Sequence, residues 1–239
     1  YLVYQPKTCL KSGQPVGLEA LIRWTHPVRG ELSPAAFVPM AEQTDLLHEM
    51  TEWVIDKTIA CLKRFNRQNI QLPITINVSL NDFAKNNFAD LLESKMLEAR
   101  LSNNLLGIEC LETERIIENA QALSGLQRLY EKGFTISLDD FGTGYSNISY
   151  LRRMPLDIIK LDRSLISGVL EDTSSLIIAR SIIRMLKELD YTVLAEGVED
   201  AEVAILLRDF GCDQAQGYFF SKPLSDPELD IWLQRRLKN

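Results

Sequence analysis

Eight short apolar runs rich in β-branched residues recur along the chain, and most are followed by a longer amphipathic segment. The runs lie near 2–6, 16–24, 73–78, 105–110, 133–139, 156–160, 192–196 and 213–216. Segments with helical spacing lie near 34–45, 47–66, 87–100, 114–132, 173–189, 199–210 and 226–237. Strands that alternate with helices predict a mostly parallel sheet. Eight strands within 239 residues match the size of a (β/α)8 TIM-type barrel.

The first two runs lack a helix between them. The residues that join them, Lys11 to Pro15, are typical of a tight turn. We therefore expect an irregular barrel whose first strand is antiparallel to the rest; a doubly wound open sheet is the alternative. The sequence contains no repeat, low-complexity stretch or linker, which favours a single domain over residues 1–239. Because the chain starts at Tyr1 without an initiator Met, we expect that domain to be part of a longer multidomain protein.

The bulk properties exclude several classes of protein. A formal net charge of −7 argues against binding to duplex nucleic acid, which requires a basic face. The four cysteines are far apart and form no zinc or disulfide pattern, which favours a reducing, cytoplasmic location. No stretch is typical of a signal peptide or a membrane span, so we expect no membrane contact by this segment. Membrane attachment of the full-length protein stays open.

A pair of adjacent carboxylates, Asp139-Asp140, closes one apolar run and precedes Gly142 and Gly144. If the strand ends here and the backbone turns, both carboxylates can converge on one divalent cation or bridge two. An isolated Asp-Asp pair on a turn is more often solvated surface. The other strands decide between these two interpretations.

Acidic, amide and basic residues stand at or near the ends of nearly all the predicted strands: Glu19, Asn77, Glu109, Asp139, Asp140, Lys160, Glu196 and Gln216. Barrel enzymes carry their chemistry at the C-terminal ends of the strands. Isolated charges are costly to bury, so we expect these side chains to meet at one site. Carboxylates gathered there repel one another unless a cation intervenes, and oxygen ligands of this kind suit Mg²⁺ or Mn²⁺.

This set of residues has the composition needed for metal-assisted hydrolysis of a phosphate ester. Lys160 can hold a water or a phosphate oxygen, and a remaining carboxylate can take a proton from water. The glycines after Asp140 do not continue as a dinucleotide-binding fingerprint or a Walker motif. The chain has only two histidines, neither at a predicted strand end, so a Ser-His-Asp triad is not expected.

Seven motifs, taken in order, resemble those of the EAL-domain family of bacterial cyclic di-GMP phosphodiesterases. They are Tyr4-Gln5-Pro6, Glu19-Ala20-Leu21 with Ile22-Arg23-Trp24, Ile76-Asn77-Val78-Ser79, Asp139 to Ser146, Ile159-Lys160-Leu161-Asp162, Ala195-Glu196-Gly197-Val198-Glu199 and Gln216-Gly217-Tyr218. The likeness extends from the first residues to about Pro223. It implies metal-dependent hydrolysis of one phosphodiester bond of cyclic di-GMP to linear pGpG, with two Mg²⁺ or Mn²⁺ ions per site, in a protein that forms a homodimer.

The resemblance also assigns the metal ligands. Glu19, Asn77 and Glu109 match the residues that bind one ion. Asp139 matches the aspartate that bridges both ions, and Asp140 belongs to the second. In this assignment Glu19 and Asp140 take part in catalysis through the ions they hold.

The remaining roles follow from the same resemblance. Lys160 matches the lysine that contacts the attacking water, and Glu196 matches a glutamate proposed as general base or as a metal-linked residue. Glu112 matches the glutamate that stabilises the loop after Asp140. The positions that match substrate-binding residues are Gln5, Leu21, Arg23, Asn77, Asp139 and Gln216.

Three positions depart from the family pattern and put rate and regulation in question. Leu111 replaces a threonine, Asn147 a serine and Asp45 a glycine. The alternative is therefore a weak or inactive EAL domain that acts as a cyclic di-GMP sensor or a protein-docking module. Degenerate members typically lack metal ligands, and this chain retains every ligand that the resemblance maps, which favours the enzyme.

Trp53 is predicted to be a core residue.

Overall fold

The computed structural model describes residues 1–41, 44, 46–111, 116, 118–143 and 151–236. The strands in this part of the chain are β1 (Leu2–Cys9), β2 (Pro15–Ile22), β3 (Trp24–His26), β4 (Gly30–Leu32), β5 (Ile74–Asn77), β6 (Leu106–Leu111), β7 (Thr135–Phe141), β8 (Ile158–Leu161), β9 (Thr192–Ala195) and β10 (Gln214–Ala215). Eight of them close into a barrel in the order β1-β10-β9-β8-β7-β6-β5-β2.

The strand directions confirm the predicted irregular (β/α)8 barrel. Strand β1 is antiparallel to both of its neighbours, β2 and β10. The other adjacent pairs in the barrel are parallel. The turn between β1 and β2 contains Gly13 with a φ of 71°, a left-handed conformation that glycine adopts at little cost. The short turn leaves no room for a crossover helix, which is why β1 and β2 run in opposite directions.

The described helices surround the barrel. They are α1 (Pro34–Ala41), α2 (Leu46–Arg67), α3 (Leu80–Phe83), α4 (Phe88–Glu98), α5 (Ala120–Glu131), α6 (Arg163–Ile166), α7 (Thr173–Glu188), α8 (Ala201–Asp209) and α9 (Asp226–Arg236). Each of the longer helices buries one apolar stripe, as Ile55 and Leu62 do on α2 and Ile183 and Leu186 do on α7. These side chains and the apolar strand residues form one continuous core. None of the helices in the described part of the chain combines the length and the apolar character needed to cross a bilayer.

Two features of the fold differ from the sequence prediction. The continuous helix predicted over 114–132 is wrong, because Asn119 has an extended backbone and its side chain caps α5 by accepting from the amides of Gln121 and Ala122. The second predicted strand was also too long. The chain leaves the barrel after Ile22 and forms a separate hairpin from β3 and β4.

Helices α3 and α5 approach each other closely at Gly125. A Cβ atom at this position would lie 1.9 Å from the backbone oxygen of Phe83. Backbone atoms cannot move aside as a flexible side chain can, so only glycine fits. The contact fixes the position of α3, which follows β5 by two residues, and so supports the end of β5 at Asn77.

We therefore expect Gly125→Ala to lower the free energy of unfolding by about 2 kcal/mol, the usual cost of overpacking, although alanine favours helices. Urea denaturation followed by circular dichroism measures this change. Ser124→Ala, at the exposed neighbouring position on α5, is the control and should leave stability within about 0.5 kcal/mol of wild type. Equal midpoints for wild type and Gly125→Ala would contradict the close approach.

Candidate metal and active site

The polar side chains predicted to meet do so inside the barrel. Lys160 on β8 contacts Glu19 on β2 and Glu109 on β6, strands that are not its neighbours in the sheet. These contacts cross the barrel interior. Because alternate residues of a strand point to one face, each strand delivers its polar residue inward while its apolar neighbours pack outward against the helices.

Lys160 is the centre of the cluster. Its ammonium nitrogen lies 2.8 Å from Glu196 Oε1, 2.9 Å from Asp139 Oδ1, 2.9 Å from Glu109 Oε2 and 3.6 Å from Glu19 Oε2. The lysine is fully buried. A buried ammonium requires such partners, since unpaired it would be strongly destabilising.

The Asp139-Asp140 pair lies within β7, one residue short of its end, and not at the strand end that the sequence predicted. The strand runs on to Phe141, and its register with β8 shifts between Leu138 and Phe141. Asp140 has a φ of 57°, in the left-handed region that Asp tolerates better than most residues. This bulge breaks the alternation of the strand, so two adjacent carboxylates can serve one site. The Asp140 amide donates to Asp139 Oδ1 at 3.0 Å.

Glu19 is held from its other side by amides. Asn77 Nδ2 donates to Glu19 Oε1 at 3.1 Å, and Gln216 Nε2 donates to Glu19 Oε2 at 2.7 Å. Gln216 also donates to Gln5 Oε1 at 3.1 Å. The buried Gln216 Oε1 has no hydrogen-bond partner among the described residues, so it remains free to accept from a ligand.

Two groups of three carboxylates have the spacing of a cation site. Ligand atoms of Glu19, Glu109 and Asp139 lie within 4.8 Å of one another, and so do those of Asp139, Asp140 and Glu196. The two groups share Asp139. The donors are carboxylate and amide oxygens, which fits a hard divalent cation such as Mg²⁺ or Mn²⁺ better than zinc.

The charge balance of the interior supports this fit. Burial, together with the Glu109 charge, raises the pKa of Glu19 although Lys160 and Lys7 oppose the shift. Burial likewise raises the pKa of Glu196 to about 8 despite its bond to Lys160. Burial alone would lower the pKa of Lys160, but the four carboxylates around it, Glu109 foremost, hold that pKa well above its ordinary value. The carboxylates thus outnumber the positive charges that stabilise them.

A cleft of about 380 Å³ opens above this cluster. Four of the predicted substrate-binding residues line it together with Glu19 and Glu196: Gln5, Leu21, Asp139 and Gln216. At its rim Arg163 forms a two-point ion pair with Glu199, with N–O distances of 2.9 and 3.0 Å.

Arg23 does not lie in this cleft but lines an adjacent apolar groove of about 650 Å³. Trp24, Phe37 and Trp53 line the same groove. The side chain of Trp53 is 37% exposed, so its prediction as a core residue is wrong. The rings of Trp24 and Trp53 and the guanidinium of Arg23 therefore line one groove, which lies next to the acidic cleft.

Sequence reasoning missed Lys7, which is buried and bonded to Glu109 Oε1 at 2.5 Å. The signal was available: Lys7 follows Gln5 by two residues on β1, so the two side chains face the same side. Leu111, at the position where the resemblance implies a threonine, ends β6 and is half exposed. Glu112, Asp45 and Asn147 lie outside the described residues.

Fold and site together define a (β/α)8-type barrel protein with an acidic mouth whose carboxylates have the spacing of a cation site. The EAL domain family matches residues 1–223. A cyclic di-GMP phosphodiesterase of Pseudomonas aeruginosa is 40% identical over 98% of this chain. A solved structure described as PaMucR phosphodiesterase in complex with c-di-GMP is 33% identical, with a TM-score of 0.88 over 96% of this chain and 93% of that one. An EAL domain protein from Listeria monocytogenes is 32% identical, with a TM-score of 0.84 over 100% and 92%.

The chain belongs to the EAL domain family. It spans 40% of the length of the first relative and 30% of a second phosphodiesterase from the same organism, which is 35% identical. The comparison therefore concerns one part of those longer proteins.

The central role of Lys160 can be measured through stability. With metal ions removed by a chelator, we expect Lys160→Met to lower the free energy of unfolding by about 3–5 kcal/mol, because the surrounding carboxylates lose their shared partner. Urea denaturation provides the measurement. Lys95→Met, which removes an ion pair with the exposed Asp56, should cost about 1 kcal/mol or less. Equal losses in the two variants would refute the arrangement around Lys160.

Proposed function

We propose that this domain hydrolyses one phosphodiester bond of cyclic di-GMP to linear pGpG with two Mg²⁺ or Mn²⁺ ions. The observation that carries the proposal is that two clusters of three carboxylates share Asp139. Asp139 in turn contacts the Lys160 ammonium. Two cations held side by side by a shared carboxylate are a common device for displacement at phosphorus. The names of the similar proteins, cyclic di-GMP phosphodiesterase and phosphodiesterase in complex with c-di-GMP, support the choice of substrate.

The proposed metal ligands follow the two groups, except that Asn77 joins the first and Glu196 is left to act on the attacking water. Glu19, Asn77 and Glu109 would hold one ion, Asp140 the other, and Asp139 both. Bound ions of this kind supply Lewis acidity toward the phosphoryl group and offset its charge. The substrate carries two phosphate charges and the protein a net charge of −7, so cations in the mouth also remove an electrostatic barrier to binding.

Lys160 and Glu196 would act on the attacking water. Lys160 donates a hydrogen bond to the water oxygen and orients it toward phosphorus, while Glu196 accepts the proton that the water releases. The new P–O bond forms as the bond from phosphorus to the ribose 3′ oxygen breaks. The 3′ oxygen takes up one proton from solvent and Glu196 then releases its proton to solvent, so the linear product keeps a 5′ phosphate. The 2.8 Å contact between the two side chains supports the proposal that they act on one water.

The remaining residues would bind the rest of the dinucleotide. Gln5, Leu21 and Gln216 line the cleft and offer amide groups and an apolar surface next to the reacting phosphate. Arg23 lies in the adjacent groove with exposed aromatic rings, a setting suited to a purine base. An extended dinucleotide would then place its reacting phosphate in the cleft and one purine base in the groove.

The direct test is to incubate the domain with cyclic di-GMP and Mg²⁺ or Mn²⁺ and to follow pGpG by chromatography. We expect product with the wild type and a loss of at least about 100-fold for Glu19→Gln, which keeps the shape of the side chain but removes a charged ligand. Glu188→Gln, an exposed acid on α7 paired only with surface Arg184 among the described residues, is the matched control and should retain activity.

Tight binding of cyclic di-GMP with no pGpG under either metal would overturn the enzyme proposal and favour a sensor. Full activity of Glu19→Gln would instead refute the ligand assignment and leave the reaction intact.

A further inference from the structure

A second buried lysine lies on the far side of Glu109 from Lys160. Lys7 Nζ is 2.5 Å from Glu109 Oε1, and the two side chains are 4% and 0% exposed. Lys7 comes from β1 and Glu109 from β6, which are not neighbours in the barrel, so this ion pair crosses the interior. Lys7 is not among the described residues that line the cleft. It therefore lies beneath the cleft and contacts Glu109, one of the proposed metal ligands, from the side away from the solvent.

The surroundings of Lys7 are shaped to hold it. Its ammonium donates to Thr75 Oγ1, and Thr75 donates in turn to the backbone oxygen of Leu18 at 3.0 Å. Gly107 faces Thr75 across β5 and β6, and a Cβ there would lie 2.1 Å from Thr75 Cγ2. A glycine at this position leaves room for the threonine, and the threonine orients the lysine.

Lys7 and Lys160 divide the carboxylate of Glu109 between them. Lys7 binds Oε1, while Lys160 binds Oε2 at 2.9 Å. With one ammonium on each oxygen, the carboxylate plane cannot rotate without breaking a buried charged hydrogen bond. Oε2 thus stays on the side of Lys160, which also contacts Glu19 and Asp139. With these two residues Glu109 forms the first group of three carboxylates.

We propose that Lys7 is a positioning residue that fixes the metal-facing oxygen of Glu109 and lets Lys160 remain in contact with Asp139 and Glu196. This inference rests on the proposed function. Without Lys7, one buried oxygen of Glu109 loses its partner, and Lys160 becomes the only ammonium within reach in the described structure. Lys160 then moves toward Glu109, and both the metal ligand and the water-orienting group are displaced.

The test compares Lys7→Met and Thr75→Val with wild type in the intact domain. Mn²⁺ affinity is measured by EPR titration of the free ion, folding by circular dichroism and turnover by pGpG formation. We expect Lys7→Met to bind Mn²⁺ about 10- to 100-fold more weakly, as is typical when a residue that orients a ligand is lost. At Mn²⁺ concentrations that saturate each variant, KM for cyclic di-GMP should stay unchanged while kcat falls, because Lys7 does not line the cleft but its loss displaces Lys160. Thr75→Val should weaken Mn²⁺ binding in the same direction but less.

Lys63→Met removes an exposed lysine from α2 and is the charge-matched control, with wild-type Mn²⁺ affinity expected. A folded Lys7→Met that binds Mn²⁺ as tightly as wild type overturns the inference. If Lys7→Met does not fold, wild-type Mn²⁺ affinity in Thr75→Val overturns it.

The two proposals fail in different ways. Wild-type protein that binds Mn²⁺ but makes no pGpG refutes the reaction, and the affinities of the variants still report on Lys7. Active wild-type protein with unchanged affinities in both variants refutes the role of Lys7 alone. Wild-type protein that binds no Mn²⁺ refutes the metal assignment on which both depend.

Discussion

The site is organised by one buried ammonium group shared among four carboxylates from different parts of the barrel. Lys160 lies within 3.6 Å of Glu19, Glu109, Asp139 and Glu196, which reach it from β2, β6, β7 and the residue after β9. Such a group is stable only if the strands that carry its partners close around it, because any missing partner leaves a buried charge unpaired. The chemistry of the site and the closure of the barrel therefore depend on each other.

The interior consists of two polar layers with distinct tasks. The upper layer contains the carboxylates, the amides of Asn77 and Gln216, and Lys160. The lower layer contains Lys7 and Thr75, made possible by the glycine at 107. Five carboxylates (Glu19, Glu109, Asp139, Asp140, Glu196) face two ammonium groups (Lys7, Lys160), a formal excess of three negative charges when all five acids are ionised. Divalent cations would neutralise this excess. Burial is the main cause that raises the pKa of Glu19 and of Glu196, and repulsion by the neighbouring carboxylates raises both further.

Much of this could be predicted from the sequence because it depends on periodicity and on residue type. The eight strands, the antiparallel first strand and the set of acids around Lys160 were all visible as short apolar runs with polar residues at fixed places. The bulge at Asp140 could not be predicted, because the residue type alone does not indicate that this aspartate has a positive φ. Lys7 was overlooked because a lysine on an edge of an apolar run is usually exposed. The break at Asn119 and the exposure of Trp53 depend on tertiary contacts, which single residues do not encode.

Cation binding inside this cluster is the central requirement of the proposed site. Diffraction from crystals of the domain grown with Mn²⁺, recorded at the manganese absorption edge, locates the ions without reference to activity. We expect anomalous peaks in contact with the carboxylates of Glu19, Glu109 and Asp139, and with those of Asp139 and Asp140. Well-ordered crystals at saturating Mn²⁺ with no peak among these side chains would contradict the account.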